Sequence, residues 1–176
     1  VVFMNNSNLR KFHPKFETPK VRILNPTCKI QSIAEQNRFM TINCKGELID
    51  LGSPKVMGIL NVTPDSFYDG GKYCGTKEIL LQVEKMLKAG ATFIDIGAYS
   101  SRPGAAPISA KDELERMLPI VELLVVKFPE ILISIDTFRS SVAEQCLQRG
   151  AVMINDISAG RLDAAMLPVI AKFGVP

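Results

Sequence analysis

From Val56 onward the chain repeats one pattern four times: a short apolar segment, a polar stretch, and a segment whose apolar residues recur with helical spacing. The apolar segments read VMGIL, TFIDIG, ILISID and AVMINDI. Successive strand–helix units of this kind predict a parallel sheet wound by right-handed crossovers. A doubly wound open sheet and a (β/α)8 barrel both begin in this way. No G-x-G-x-x-G follows the first strand, which weakens the dinucleotide-binding form of the open sheet.

The helical segments carry start and stop signals. In TKEILLQVEKMLKAG, Thr76 is placed to cap the helix and Gly90 to end it. In the next helical segment, Ser109 and Asp112 have the spacing of a capping box. Pro119 lies inside that segment, and we expect it to kink or restart the helix.

The part of the chain before the repeats divides into two. Residues 1–39 show no sustained period, and we expect an irregular extension that can be deleted without loss. Residues 40–176 form the predicted domain. It begins with a hairpin candidate, in which Thr41–Cys44 and Leu48–Asp50 flank a turn at Lys45–Gly46.

Charge and cysteine usage exclude several classes of protein. Residues 1–39 hold seven Lys or Arg and two acidic residues, whereas the rest holds fourteen and sixteen, so the domain is not expected to bind nucleic acid. No apolar run is long enough to cross a membrane. The four cysteines lack CxxC spacing, which indicates free thiols and a cytoplasmic location. His13 is the only histidine, which excludes a histidine-based catalytic pair.

Polar residues recur where the predicted strands end. Asn61, Asp95, Asp136 and the Asn155–Asp156 pair each follow or close a different apolar segment. One such Asp is commonly a turn former, but four positions at four strand ends are harder to explain in that way. The carboxyl ends of barrel strands meet at one mouth, the usual seat of an active site. We therefore expect these side chains to face a common cavity.

Two polar loops, Val62–Tyr73 and Tyr99–Pro107, follow the first two strands, and we expect them to be mobile without ligand. Arg102 offers a fork of donors to an anion. Asn61 offers the oxygen that suits a Mg²⁺ ion otherwise held by water and phosphates. Asp136 and Asn155 could bind the donor and acceptor edge of a heterocycle.

Three stretches resemble a known family, the dihydropteroate synthases. MGILNVTPDSFYDGG resembles the family's first signature, GATFIDIGAYSSRPGA its second, and ISIDTFRSSVAEQCLQRGAVMINDISAG continues the match. The resemblance runs from about Met40 to Pro176. It implies a TIM-type (β/α)8 barrel, of which only about the first four βα units are present in this sequence.

The resemblance also implies a reaction. Members of the family join 6-hydroxymethyl-7,8-dihydropterin diphosphate to 4-aminobenzoate, releasing pyrophosphate and forming 7,8-dihydropteroate for folate synthesis. They use Mg²⁺ and are targets of sulfonamides. By motif position, the resemblance implies that Asn61 is the Mg²⁺ ligand, that Ser101 contacts the diphosphate, and that Asp136 and Asn155 contact the pterin. Phe67 and Pro103 are implied to contact the aminobenzoate, with Arg102 nearby. Catalytic roles are implied for Asp95, Asp136 and Arg102.

Two departures from the family pattern stand out. The family usually has Thr where Ser101 stands, which keeps the hydroxyl. The family barrel has eight strands, and the later Asp, Lys and Ser-Arg motif that complete its site fall outside this sequence, so we expect half a site. Two alternatives remain at this point: a pterin-binding methyltransferase domain, and a truncated binding module without catalysis. A full-length protein is a possible homodimer.

Overall fold

The computed structural model describes residues 2–4, 40–62, 74–99 and 107–176, the first of these by backbone alone. In chain order the elements are β1 Val2–Met4, β2 Thr41–Cys44, β3 Glu47–Asp50, β4 Val56–Asn61, α1 Cys74–Lys88, β5 Ala91–Gly97, α2 Ala110–Lys127, β6 Leu132–Asp136, α3 Ser140–Gln148, β7 Met153–Asn155 and α4 Met166–Phe173.

The main sheet has the order β1-β4-β5-β6-β7, and every pair in it is parallel. From β4 to β7 each new strand pairs with the one before it, and the order never reverses. A doubly wound sheet reverses its order at a switch point, so the winding here is that of a barrel. The backbone N–H of Ile154 donates to the carbonyl of Pro176 at 3.0 Å, so the chain returns beside β7 where a fifth repeat strand would pair.

The helices cover one face of this sheet. Residues that alternate along β4 to β7 point toward them and form the larger apolar core with buried side chains of α1 to α4. Its fully buried members include Leu60, Ile94, Ile96, Ile133 and Ile135 from the strands and Val83, Met86, Met117, Leu124 and Met166 from the helices. The opposite face corresponds to the inside of a barrel.

The predicted hairpin is present as β2 and β3, paired antiparallel. Its turn residues Lys45 and Gly46 have φ of 54° and 94°, which is the geometry of a two-residue hairpin turn. The hairpin packs under the inner face, in a smaller core built from Cys44, Ile49, Met57, Phe93, Leu132 and Val152. It therefore covers the end of the sheet at which the strands begin.

The helix signals are mostly confirmed. Gly90 ends α1 with φ of 96°. The capping box is present, since the Ser109 hydroxyl accepts from the Asp112 N–H at 3.1 Å and an Asp112 carboxylate oxygen accepts from the Ser109 N–H at 3.2 Å. The prediction that Thr76 caps α1 is wrong, because the helix already begins at Cys74. A restart at Pro119 is also wrong: α2 runs through it, with the proline exposed.

The prediction of an irregular extension is wrong for three of its residues. Val2–Met4 form β1, which pairs with β4 in the register Val2 to Val56, Phe3 to Met57 and Met4 to Gly58. β4 would otherwise have an open edge, and a three-residue strand is too short to show a period in the sequence. The remaining residues of the extension lie outside the described part of the chain.

Candidate active site

The strand register places the predicted residues in one row. Asn61 is level with Gly97, Gly97 with Asp136, and Asp136 with Asn155. Residues level with one another in neighbouring strands point to the same face, here the inner face at the C-terminal ends. This row, which we call the polar row, confirms the predicted convergence of Asn61, Asp136 and Asn155.

Asp95 lies one layer deeper on the same face, level with Ile59 and Ser134. It is 3% exposed, and the amide nitrogen Nδ2 of Asn155 donates to its Oδ2 at 3.0 Å. The four predicted residues therefore share the inner face, with Asp95 at the floor rather than at the rim.

Burial raises the pKa of Asp95, while Ser134 and Asn155 offset part of that rise. Asp95 Oδ1 and Ser134 Oγ are nevertheless both buried with no hydrogen-bond partner of good geometry among the described residues. Buried polar atoms are nearly always paired, so these two neighbouring atoms are where the inner face has hydrogen-bonding capacity to spare.

Asp136 is half-buried in the middle of the polar row. Burial first, and then the carboxylates of Asp95, Glu113 and Asp156, raise its pKa to about 6. Beside it, Gly97 leaves space: a Cβ at this position would lie 3.3 Å from Asp136 Oδ2. The glycine therefore keeps the inner face open next to the carboxylate.

Asn61 ends β4 and is exposed. Among the described residues no group of three or more His, Cys, Asp or Glu could hold a metal ion. Mg²⁺ commonly keeps several waters and takes few protein ligands when substrate phosphates supply the rest. A single exposed amide oxygen at the rim fits that mode of binding, and it does not fit a metal held by protein groups alone.

Asp156, predicted together with Asn155, has a different role. Its carboxylate accepts from the Ser158 N–H at 2.8 Å, from the Ser158 hydroxyl at 3.0 Å and from the Gly160 N–H at 2.8 Å. It therefore shapes the turn after β7, which is the ordinary role of an Asp at a strand end.

The remaining predicted residues, Phe67, Ser101, Arg102 and Pro103, lie outside the described residues. The same holds for the two polar loops apart from Val62, Tyr99 and Pro107. Their assignments stay predictions.

Two features of the site and its surroundings were not predicted from the sequence. Ser134 could have been found, because it is the one hydroxyl within the apolar ILISID strand and shares a face with Asp136. A buried cluster of Glu113, Thr137 and Arg139 could not, because Glu113 reads as an ordinary acidic residue in the first turn of a helix.

Strands wound in barrel order, with polar groups gathered at their C-terminal ends, define part of an α/β-barrel enzyme. Residues 57–176 match the family model described as pterin binding enzyme, and the chain belongs to that family.

Similar proteins agree with this assignment. The dihydropteroate synthase of Streptococcus pyogenes is 44% identical over 131 residues, which cover 74% of this chain and 49% of that protein. The mitochondrial folate synthesis bifunctional protein of Pisum sativum is 46% identical over 148 residues, covering 82% and 28%. The solved structure of Xanthomonas albilineans dihydropteroate synthase with 4-aminobenzoic acid has a TM-score of 0.70 and 38% identity, covering 77% and 49%. The chain thus spans about half the length of the dihydropteroate synthases it matches, or less of the bifunctional relative.

Proposed function

We propose that this chain supplies the first half of a dihydropteroate synthase active site, the half that holds the pterin. The observation that carries the proposal is the floor of the site, where Asn155 binds one oxygen of Asp95 and the other oxygen is buried with no partner in the described part of the chain. A pterin presents adjacent ring and amino N–H groups, which suit the free carboxylate oxygen of Asp95 and the carboxylate of Asp136.

The proposed reaction breaks the bond between the pterin methylene carbon and the diphosphate oxygen, so that the electron pair leaves with pyrophosphate. Asp95 and Asp136 stabilise the positive charge that develops on the pterin, because they are carboxylates held in a poorly solvated site. The amine of 4-aminobenzoate forms the new C–N bond and then loses a proton. When bound, Mg²⁺ neutralises charge on the diphosphate, and Asn61 is the residue of the polar row that would hold it.

The other assignments are part of the same proposal. Ser101 contacts the diphosphate, Phe67 and Pro103 shape the aminobenzoate pocket, and Arg102 stabilises the departing anion. The dihydropteroate synthases among the similar proteins favour this function over a pterin-binding methyltransferase.

The proposed partners are the two small substrates and, for a full-length protein, a second copy of the chain. No helix of the described ranges has the length and apolar character needed to span a membrane. We propose a cytoplasmic location from the scattered cysteines, although the Pisum sativum relative is mitochondrial.

Pterin binding to the full-length protein tests the proposal. Asp136→Ala and Asn155→Ala should each weaken the binding of 6-hydroxymethyl-7,8-dihydropterin diphosphate about tenfold to a hundredfold, the cost of a hydrogen bond to a charged group. Glu130→Gln is the matched control, since Glu130 is exposed near the opposite end of β6. Equal affinity in all four proteins, measured by calorimetry, would contradict the assignment.

A further inference from the structure

An ion pair between a fully buried carboxylate and a partly exposed guanidinium lies beside the polar row without belonging to it. Glu113, in the first turn of α2, has a fully buried side chain, and the guanidinium of Arg139 contacts its Oε2. The hydroxyl of Thr137 donates to the other oxygen of Glu113 at 2.6 Å. A buried ion pair is often no more stabilising than apolar residues of the same volume. Its presence here therefore suggests a role beyond stability.

The contacts of Arg139 indicate that role. Its second terminal nitrogen donates to the carbonyl of Ile108 at 2.7 Å. The guanidinium carbon lies 4.6 Å from the centre of the Phe138 ring and 5.4 Å from that of Tyr99, and the two rings meet edge to face. Tyr99 follows β5, and Ile108 precedes the cap of α2. One guanidinium therefore touches both described ends of the connection between β5 and α2.

The same cluster reaches the polar row through the backbone. Thr137 directly follows Asp136, and its hydroxyl also accepts from the Arg139 N–H at 3.2 Å. Glu113 thus fixes the backbone next to Asp136 and, through Arg139, fixes Tyr99 and Ile108.

We propose that Arg139, held by Glu113, is a positioning residue that sets the two ends of the β5–α2 connection relative to Asp136. Arg139 itself touches no substrate. The effect of this positioning on catalysis rests on the proposed function. In the chain, Arg102 and Pro103 lie between Tyr99 and Ile108. With the roles proposed for these two residues, misplacement of Tyr99 and Ile108 raises the KM for 4-aminobenzoate, the second substrate, and lowers kcat. The planar fork of arginine is needed because Glu113 and Ile108 are bound from different nitrogens.

A fluorine signal on Tyr99 tests the positioning without any assay of activity. Full-length protein labelled with 3-fluorotyrosine, with Tyr99 assigned by Tyr99→Phe, should show the Tyr99 signal moving to the position of exposed fluorotyrosine in Arg139→Gln. Arg149→Gln is the matched control, because Arg149 pairs with Glu122 at 2.8 Å and so also joins α2 to the end of α3, but at a more exposed site. An unmoved Tyr99 signal in Arg139→Gln overturns the proposal.

The double variant Glu113→Gln/Arg139→Gln separates positioning from stability. Arg139→Gln alone leaves a buried carboxylate without its cation and should lower the melting temperature, whereas the double variant should recover most of that loss. Both should keep the displaced Tyr99 signal and a KM for 4-aminobenzoate raised about tenfold or more, since small misplacements of a site carry costs of that order.

A double variant that has both the wild-type KM for 4-aminobenzoate and the wild-type kcat overturns the positioning role. If the full-length wild-type protein makes no dihydropteroate, the proposed function is wrong. The Tyr99 signal then still decides whether Arg139 sets the two ends of the connection.

Discussion

Asp95 is the residue on which the proposed pterin site depends most. One of its oxygens is held by Asn155 and the other is buried without a partner among the described residues. An unsatisfied buried acceptor costs on the order of 1–3 kcal/mol, so a ligand N–H that gains access to it would recover that free energy. Asp136 lies one layer higher, on the neighbouring strand, where the proposed function has it bind the same ligand.

Gly97 gives a direct test of the space beside Asp136. Gly97→Ala places a Cβ 3.3 Å from Oδ2 of Asp136, which is closer than an ordinary contact, so the carboxylate must shift. We expect pterin affinity to fall about tenfold, because recognition depends on sub-ångström placement. Gly58→Ala is the control for crowding alone: its Cβ would lie 2.7 Å from Met86 Sδ on the helix side, so it should lower the melting temperature but leave the affinity of the folded protein nearly unchanged. Equal effects of the two substitutions on titrations with pterin diphosphate would contradict this account.

The titration of Asp136 gives a second test. Its folded-state pKa is raised to about 6, chiefly by burial. A carboxyl group with a raised folded pKa binds its proton more tightly when folded, so its contribution to stability is present below about pH 4 and is lost as the pH rises through about 6. Over that range the free energy of unfolding of the wild type should therefore fall relative to that of Asp136→Asn.

Urea unfolding at several pH values measures this difference, and carboxyl carbon NMR measures the titration itself. A midpoint for Asp136 near the ordinary value of about 4 would show that its site is better solvated than described here.

At the scale of elements, the repeat of strand and helix made the site predictable. Asn61, Asp136 and Asn155 could be placed together because each closes an apolar segment, and parallel strands end at one edge. What could not be predicted depends on pairs distant in the chain. The burial of Glu113 follows from Arg139, 26 residues later, and neither shows a local signal.

The same limit applies to β1. Its strand state depends on pairing with β4, more than fifty residues away, and not on any pattern in Val2–Met4. Likewise, α2 continues through Pro119 because that residue is exposed, which a helical pattern with a proline inside does not reveal.

Deletion of residues 1–39 tests the role of β1. In a chain extended through eight strands, β4 has the eighth strand as its barrel neighbour, so the deletion should leave melting temperature and activity unchanged. In the 176-residue chain, the deletion opens the edge of β4 and should lower the melting temperature. Thermal unfolding of the four chains decides this, and a large loss in the extended chain would show that residues 1–39 pack on the barrel.

For the whole molecule, the described sheet is part of a barrel with two edges. β1 pairs at one edge, and the carbonyl of Pro176 meets β7 at the other. The described polar row, together with Asp95 beneath it, offers two carboxylates and two amides but no cation for the departing diphosphate of the proposed reaction. Each lost preorganised charge at a leaving group typically costs about a hundredfold in rate or more. We therefore expect catalysis to need both halves of the barrel.

The most direct measurement is pyrophosphate release by the purified 176-residue chain and by a chain extended through the eighth strand, each with both substrates and Mg²⁺. We expect turnover by the extended chain and only background release by residues 1–176. We also expect Asp136→Ala to abolish most turnover in the extended chain, because the pterin loses its carboxylate partner. Comparable turnover by the two chains would contradict both the half-site and the eight-stranded barrel on which it rests.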